Sequence, residues 1–278
     1  MAYKSVLLHC NDTRRLSALL APSLALASTF QSHVIGLSVV PPVVVAATGA
    51  IEAPPVILDA HCDLYRQRVP AMRRQFEEAM VGRPVTFEWR DVDAGAFGVA
   101  DVVLEHGRCV DLVVANQPDP EWFAGELLDV ADRLAVESGR PVVIVPNNHP
   151  FTQIGTRVLV AWANRREAAR ATFDALPILK RAQAVKVLTI AEGDEQAPSP
   201  DGADVYAALV RHGIKAAPME RVVSSAGVGP ALEEAAGNFN ADLVVMGCYG
   251  HSRLREFVFG GATRHFLQKM LVPVLMSH

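Results

Sequence analysis

The chain has 278 residues, of which half are apolar, 20% are charged and 6% are aromatic, and its formal net charge is −4. This apolar content suffices for one large or two ordinary domain cores, and the acidic balance excludes a scaffold that binds nucleic acid through a basic face. No apolar run reaches the roughly 18 residues of a membrane span and charge comes too early for a secretory leader, so we expect a cytoplasmic protein without a membrane partner.

The first predicted strand and the turn after it recur later in the chain, in the same order as other segments. The matching segments are residues 4–9 with 156–161, 110–114 with 241–245, and 140–145 with 272–276. Repetition in constant order indicates a tandem duplication. Two prolines and two asparagines at residues 146–150 form a short linker between the copies. We therefore expect one domain at residues 1–147 and a second at 154–278.

In the first copy, an insertion rich in Val, Ala and Pro runs from Pro41 to Pro70. Its early part is predicted to be an ordered loop. Its later part, from Leu58 onward, is predicted to begin a long helix that reaches Val81.

In the second copy, short apolar runs alternate with segments of helical periodicity. Strands are predicted at residues 158–162, 185–190, 216–223, 243–246 and 272–276, and helices at 166–181, 200–212, 229–238 and 261–270. Near-continuous apolar strands that alternate with helices are typical of a parallel sheet covered on both faces. The pattern predicts a doubly wound α/β fold in each copy.

A glycine-rich segment follows the fourth strand of the second copy. Gly247 and Gly250 come directly after that strand, nine residues follow, and Gly260 stands at the start of a helix. Glycines at these places let backbone N–H groups approach an anion closely, which is typical of a phosphate cradle. The order resembles the G-x2-G-x9-G signature of the universal stress protein family, which is followed by Ser or Thr. The resemblance spans nearly the whole chain as two tandem units.

This resemblance implies a Rossmann-like, adenine nucleotide hydrolase-like fold with two five-stranded parallel sheets in tandem. It also implies a bound ATP or other adenine nucleotide, with Mg²⁺ when the ligand is ATP. By position, the phosphates would meet the glycine segment and the helix after it, the adenine would meet the backbone of the second strand, and the ribose would meet the first loop. The residues so assigned are Ala161, Ala163, Asn164, Ile190, Gly247, Gly250, His251, Arg253, Gly260, Gly261, Ala262 and Thr263.

Two positions depart from the family pattern. Ala163 stands where the family has an acidic residue or Asn, with Asn164 next to it, and Gly261 stands where Ser or Thr is expected, with Thr263 two places on. Backbone amides can hold a phosphate without that hydroxyl.

The first copy lacks the cradle. Asn116 and Asp119 replace its first two glycines, and Glu121 and Glu126 add carboxylates that would repel a polyphosphate. Residues 1–150 hold 18 acidic against 12 basic residues, and residues 151–278 hold 12 against 14. We therefore expect a single nucleotide per chain, in the second copy.

Two other functions stay open at this point. The glycines also fit simple tight turns, which would make the chain a ligand-free dimerisation and interaction module. Slow ATP hydrolysis is the third option, although we find no nucleophile elbow or P-loop. The four cysteines lack a C-x-x-C pair, so we expect no metal site.

The copies are also expected to pair with each other, as single-repeat members of the family pair through the last strand. The predicted contact joins residues 142–145 with 272–276, because an apolar edge strand left exposed invites aggregation. Pairing of two whole chains into a homodimer is a further expectation.

Overall fold

A computed structural model describes residues 2–42, 62–119, 121, 130–147, 151–192, 201–248 and 261–278. The strands are β1 (Ser5–His9), β2 (His33–Val40), β3 (Thr86–Asp93), β4 (Leu112–Asn116), β5 (Val142–Val145), β6 (Arg157–Ala161), β7 (Ala184–Glu192), β8 (Ala216–Ser224), β9 (Leu243–Gly247) and β10 (Val274–Ser277). The helices are α1 (Thr13–Phe30), α2 (Val69–Met80), α3 (Val99–Gly107), α4 (Ala131–Glu137), α5 (Arg166–Asp174), α6 (Leu176–Leu179), α7 (Asp201–Arg211), α8 (Val228–Phe239) and α9 (Gly261–Lys269).

Within the described residues, the strands form one sheet in the order β3-β2-β1-β4-β5-β10-β9-β6-β7-β8. All neighbours are parallel inside each half, that is, from β3 to β5 and from β10 to β8. Central strands such as β4 are buried along their whole length, because helices cover both faces of the sheet. The α/β fold class is thus confirmed in both halves.

The two halves meet through their last strands, as predicted. β5 pairs with β10 in antiparallel orientation, with Val143 opposite Leu275. The two predicted sheets are therefore joined edge to edge into one continuous sheet. Because this contact is antiparallel, the carboxyl ends of the parallel strands lie at opposite edges of the sheet in the two halves.

The core has two layers, one on each face of the sheet, and each layer runs through both halves. Helices α1, α2, α5, α6 and α7 cover one face. Helices α3, α4, α8 and α9 cover the other. Equivalent helices of the two copies thus share a face, as a pseudo-twofold axis between β5 and β10 requires.

Each half has an aspartate that fixes the amino end of its first strand. Asp111 accepts hydrogen bonds from the backbone N–H groups of Lys4 and Ser5, at 2.8 and 2.9 Å. Its counterpart Asp242 accepts from the backbone N–H groups of residues 155–157, at 2.9 to 3.0 Å. This contact explains why the duplicated segments at 110–114 and 241–245 both contain Asp.

Two predicted helices are interrupted. The helix predicted over residues 166–181 breaks at Ala175, because Pro177 has no N–H to donate to the preceding turn. The predicted long helix is described from residue 62, turns at residues 67–68 and restarts as α2, with Pro70 in its first turn, where a missing N–H costs little. Residues 58–61 and most of the insertion lie outside the described residues.

Candidate functional site

The carboxyl ends of β9 and β6 define the candidate site of the second half. Within this half the chain continues from β6 to β7 and β8 on one side, and returns to β9 and β10 on the other. Ligands of such sheets bind outside the carboxyl ends, at the point where the strand order reverses. Ala161 ends β6 and Gly247 ends β9, so the structure places both at this point.

Helix α9 begins at the same edge, since it follows β9 and runs back across the sheet. Gly261 starts the helix and is exposed, Ala262 is partly buried and Thr263 is buried. The first-turn N–H groups of a helix have no partner inside the helix and carry partial positive charge. Gly250, His251, Arg253 and Gly260 were also assigned to the site and lie outside the described residues.

An apolar wall accompanies this helix start. Ala161, Ile190 and Ala262 are partly exposed and contact the same core layer, on the α8 and α9 face of the sheet. Ala163 and Asn164 follow β6 and are exposed. Among the described site residues, the structure thus brings together the ends of β6, β7 and β9 and the start of α9.

Gly247 has a reason to be glycine that involves no ligand. A Cβ atom there would lie 2.5 Å from the backbone nitrogen of Ala168 and 2.5 Å from the backbone carbon of Glu167. These atoms belong to the first turn of α5, so any side chain on Gly247 would push that helix away. The glycine lets α5 approach β9 closely.

A chain of polar contacts beside Gly247 was not predicted from the sequence. Arg166 donates from Nε to the Glu167 carboxylate at 2.7 Å, and from Nη2 to Nε2 of His278 at 3.2 Å. An arginine can only donate, so Nε2 of His278 accepts and Nδ1–H donates to the backbone oxygen of Cys248 at 3.0 Å. His278 is thereby tied to Cys248, the residue after Gly247.

Burial works to raise the pKa of the Glu167 carboxyl, but the hydrogen bond and the charge of Arg166 outweigh it and lower the pKa. Glu167 is therefore an anion at neutral pH. Its charge is already compensated by Arg166.

Cys248 is buried and carries no thiolate chemistry. Burial raises the pKa of its thiol to about 12, so the neutral form dominates at pH 7. Its Sγ lies 3.3 Å from the backbone oxygen of Ala135, in α4 of the first half, and 3.4 Å from that of Ser277. Cys248, the residue directly after β9, thus contacts the first half of the molecule.

The carboxyl end of β1, the equivalent position in the first half, carries a buried histidine. His9 stands at the register position of Ala161, since it pairs with Leu37 as Ala161 pairs with Leu188. The imidazole is 1% exposed, and neither ring nitrogen has a hydrogen-bond partner among the described residues. Burial, followed by the charge of Arg15, lowers the pKa of His9 to about 3, so the ring is neutral.

Two further positions at the carboxyl ends are also more buried in the first half than in the second. Val39 corresponds to Ile190 by strand register, and Val130 corresponds to Ala262 by its place before the last strand. Val39 and Val130 are each 6% exposed, whereas Ile190 and Ala262 are partly exposed. The apolar wall is thus covered in the first half and accessible in the second.

This architecture defines a doubly wound α/β protein made of two fused copies. The family model of the universal stress protein family matches residues 155–278. These residues therefore form a universal stress protein domain, and the full-length structural matches below fit a tandem arrangement of two such folds.

Three solved structures align with almost the whole chain. A universal stress protein from Archaeoglobus fulgidus is 15% identical, with a TM-score of 0.72 over 98% of this chain and 95% of that chain. A protein from Pseudomonas aeruginosa UCBPP-PA14, described as a universal stress protein, is 16% identical, with a TM-score of 0.58 over 99% and 93%. A protein of unknown function from Pseudomonas aeruginosa PAO1 is 14% identical, with a TM-score of 0.58 over 99% and 92%. At these identities the likeness concerns the fold alone.

No curated protein matches the chain. Over the described ranges, no helix has both the length and the apolar character needed to cross a bilayer. The same ranges contain no group of three or more His, Cys, Asp or Glu side chains placed to hold a metal ion.

Proposed function

We propose that the second half binds one adenine nucleotide per chain, as a nucleotide-dependent sensor of the stress response without strong catalytic activity. The observation that carries the proposal is the contrast at the strand ends. Ala161, Ile190 and Ala262 leave an apolar wall partly exposed beside the start of α9, whereas their counterparts in the first half are buried. A planar base fits against such a wall while the phosphates meet the helix N-terminus.

The phosphates are assigned to the N–H groups at Gly261, Ala262 and Thr263, together with Gly247 and Gly250. No described atom lies within 4 Å of the position that a Cβ on Gly261 would occupy, so that position itself is open among the described residues. Arg253 would add positive charge, and His251 would add a side-chain hydrogen-bond donor. With ATP, Mg²⁺ would accompany the phosphates, as it does at most triphosphate sites.

A calorimetric titration of the full chain with ATP tests the proposal. We expect one site per chain in the wild type and no binding in Gly250→Asp, because the added carboxylate would repel the phosphates. The matched control is Asp119→Gly, the inverse exchange at the equivalent position of the first copy, which should leave one site of unchanged affinity. Two sites per chain, or full affinity in Gly250→Asp, would contradict the assignment.

A ligand-free interaction module is the second candidate, and one observation favours it. The lack of a side chain at Gly247 is already explained by the close approach of α5. No heat in the wild-type titration, with no nucleotide released from denatured protein in mass spectrometry, would support this candidate. Release of ADP during the titration would instead identify slow ATP hydrolysis.

A further inference from the structure

The two halves exchange one side-chain contact at the same place in each copy. Gln117 follows β4 in the first half, and Cys248 follows β9 in the second. The backbone N–H of Gln117 donates to the oxygen of Val145, and that of Cys248 donates to the oxygen of Ser277. The two residues are thus equivalent in the duplicated fold.

Each of these residues reaches the last helix of the other half. Nε2 of Gln117 donates to the backbone oxygen of Leu267 in α9 at 3.1 Å, and Sγ of Cys248 lies 3.3 Å from that of Ala135 in α4. The last four carbonyl groups of a helix have no partner inside it. Leu267 and Ala135 both belong to that last turn, so each half caps the final helix of the other.

Gln117 is held in place by more hydrogen bonds than Cys248 is. Its side-chain oxygen accepts from the backbone N–H of Asn147 at 3.4 Å, and its backbone oxygen accepts from Nδ2 of Asn147 at 2.8 Å and from Nη1 of Arg15 at 3.2 Å. The residue is only 7% exposed. A buried amide held on several sides has little freedom, so the position of Leu267 is fixed relative to the first half.

We propose that Gln117 is a positioning residue for the nucleotide site of the second half. Helix α9 has nine residues and is about 13 Å long, so it moves as a rigid rod. Gln117 holds its carboxyl end, and Gly261 begins its opposite end at the candidate site. The first half, which lacks the glycine cradle, thereby sets the orientation of the N–H groups that the second half presents. This inference rests on the proposed function only for its effect on binding.

The test compares Gln117→Met with Asp111→Asn in the full chain. Methionine keeps the volume of Gln117 and removes the donor to Leu267. Asp111→Asn weakens the first half at the amino end of β1, where the Asp111 carboxylate accepts hydrogen bonds from Lys4 and Ser5 and not from α9, and is chosen as a control of similar stability loss. Without nucleotide, we expect Gln117→Met to shift the NMR amide signals of Gly261, Ala262 and Thr263, and Asp111→Asn to leave them in place.

With ATP, Gln117→Met should raise the dissociation constant roughly fivefold, which corresponds to the loss of one neutral hydrogen bond, and Asp111→Asn should not. Unmoved amide signals in Gln117→Met, or equal shifts in both variants, would overturn the inference. Amide shifts without ATP binding in the wild type would support the positioning role and refute the nucleotide site. If Gln117→Met does not fold, Asn147→Ala replaces it, because it loosens Gln117 without touching α9, and smaller shifts of the same signals are expected.

Discussion

The two halves share the same fold and differ at the carboxyl ends of their strands. Both have the same strand order, the same aspartate at the amino ends of the first strand and the same paired final strand. At the carboxyl ends of the strands, the first half has His9 where the second has Ala161, and Asn116 where the second has Gly247. The core that makes the fold is thus retained in both copies, whereas the strand ends, where α/β proteins bind ligands, have diverged.

The largest expected effect comes from placing the first half's residue in the second. Gly247→Asn would bring a Cβ to 2.5 Å from the backbone of α5, and backbone atoms cannot move aside as a flexible side chain can. We expect a loss of about 3 kcal/mol or more in the free energy of unfolding, measured by urea denaturation.

The inverse exchange, Asn116→Gly, is the control for this prediction. It removes a buried side chain with its 3.5 Å hydrogen bond to the backbone oxygen of Arg15 and adds chain flexibility, so about 1–2 kcal/mol is expected. Equal losses in the two variants would show that the approach of α5 does not require glycine.

A second expected difference is an acid sensitivity confined to the first half. The unfolded chain protonates His9 near its ordinary pKa of 6.5, whereas the folded chain does so only near a pKa of about 3. Stability contributed by the neutral ring is therefore complete above pH 6.5 and falls by about 1.4 kcal/mol per pH unit below it. From pH 7 to pH 5, we expect the wild type to lose about 2 kcal/mol more than His9→Leu.

His106→Gln is the comparison for His9→Leu. Burial and the charge of Arg90 also lower the pKa of His106, but its side chain is only partly buried. A smaller change in pH dependence is expected for it. If His9→Leu keeps the full pH dependence of the wild type, His9 is not the group responsible.

Much of the fold was accessible from the sequence because the signals are local and occur twice. Apolar strands, helical periodicity and the repeated Asp-Leu-Val-Val motif predicted the sheet and the pairing of β5 with β10. The prediction of uninterrupted helices was wrong at two places, where Pro70 and Pro177 each lie in the first turn of a new helix. The polar chain from Glu167 to His278 could not be predicted, because residues 111 positions apart meet only in the folded sheet.

For the candidate site, alignment of the two copies contained more information than the glycine motif. It places His9 opposite Ala161 and Gln117 opposite Cys248, but the sequence does not reveal that His9 is buried or that Gln117 reaches α9. Burial depends on the side chains that cover a strand end, which come from distant segments. The glycine pattern predicted a location for the candidate site, whereas the packing reason for a glycine at position 247 became visible only through its distance to α5.

The last variant has the smallest expected change in free energy, and it tests the proposed nucleotide site most directly. Ala161→His would place in the second half the side chain that fills the equivalent position in the first, where it is 1% exposed. Because Ala161 is partly exposed, the larger ring can be accommodated without unfolding the domain, but it would occupy the space assigned to the base. We expect ATP binding to weaken at least about tenfold, or about 1.4 kcal/mol, in a calorimetric titration, with the urea midpoint little changed. Ala217→His, at an exposed position near the amino end of β8 and so at the opposite edge of the second half, is the matched control and should bind ATP as the wild type does. Unchanged affinity in Ala161→His would contradict the proposal that the accessible strand end allows the second half, rather than the first, to bind a nucleotide.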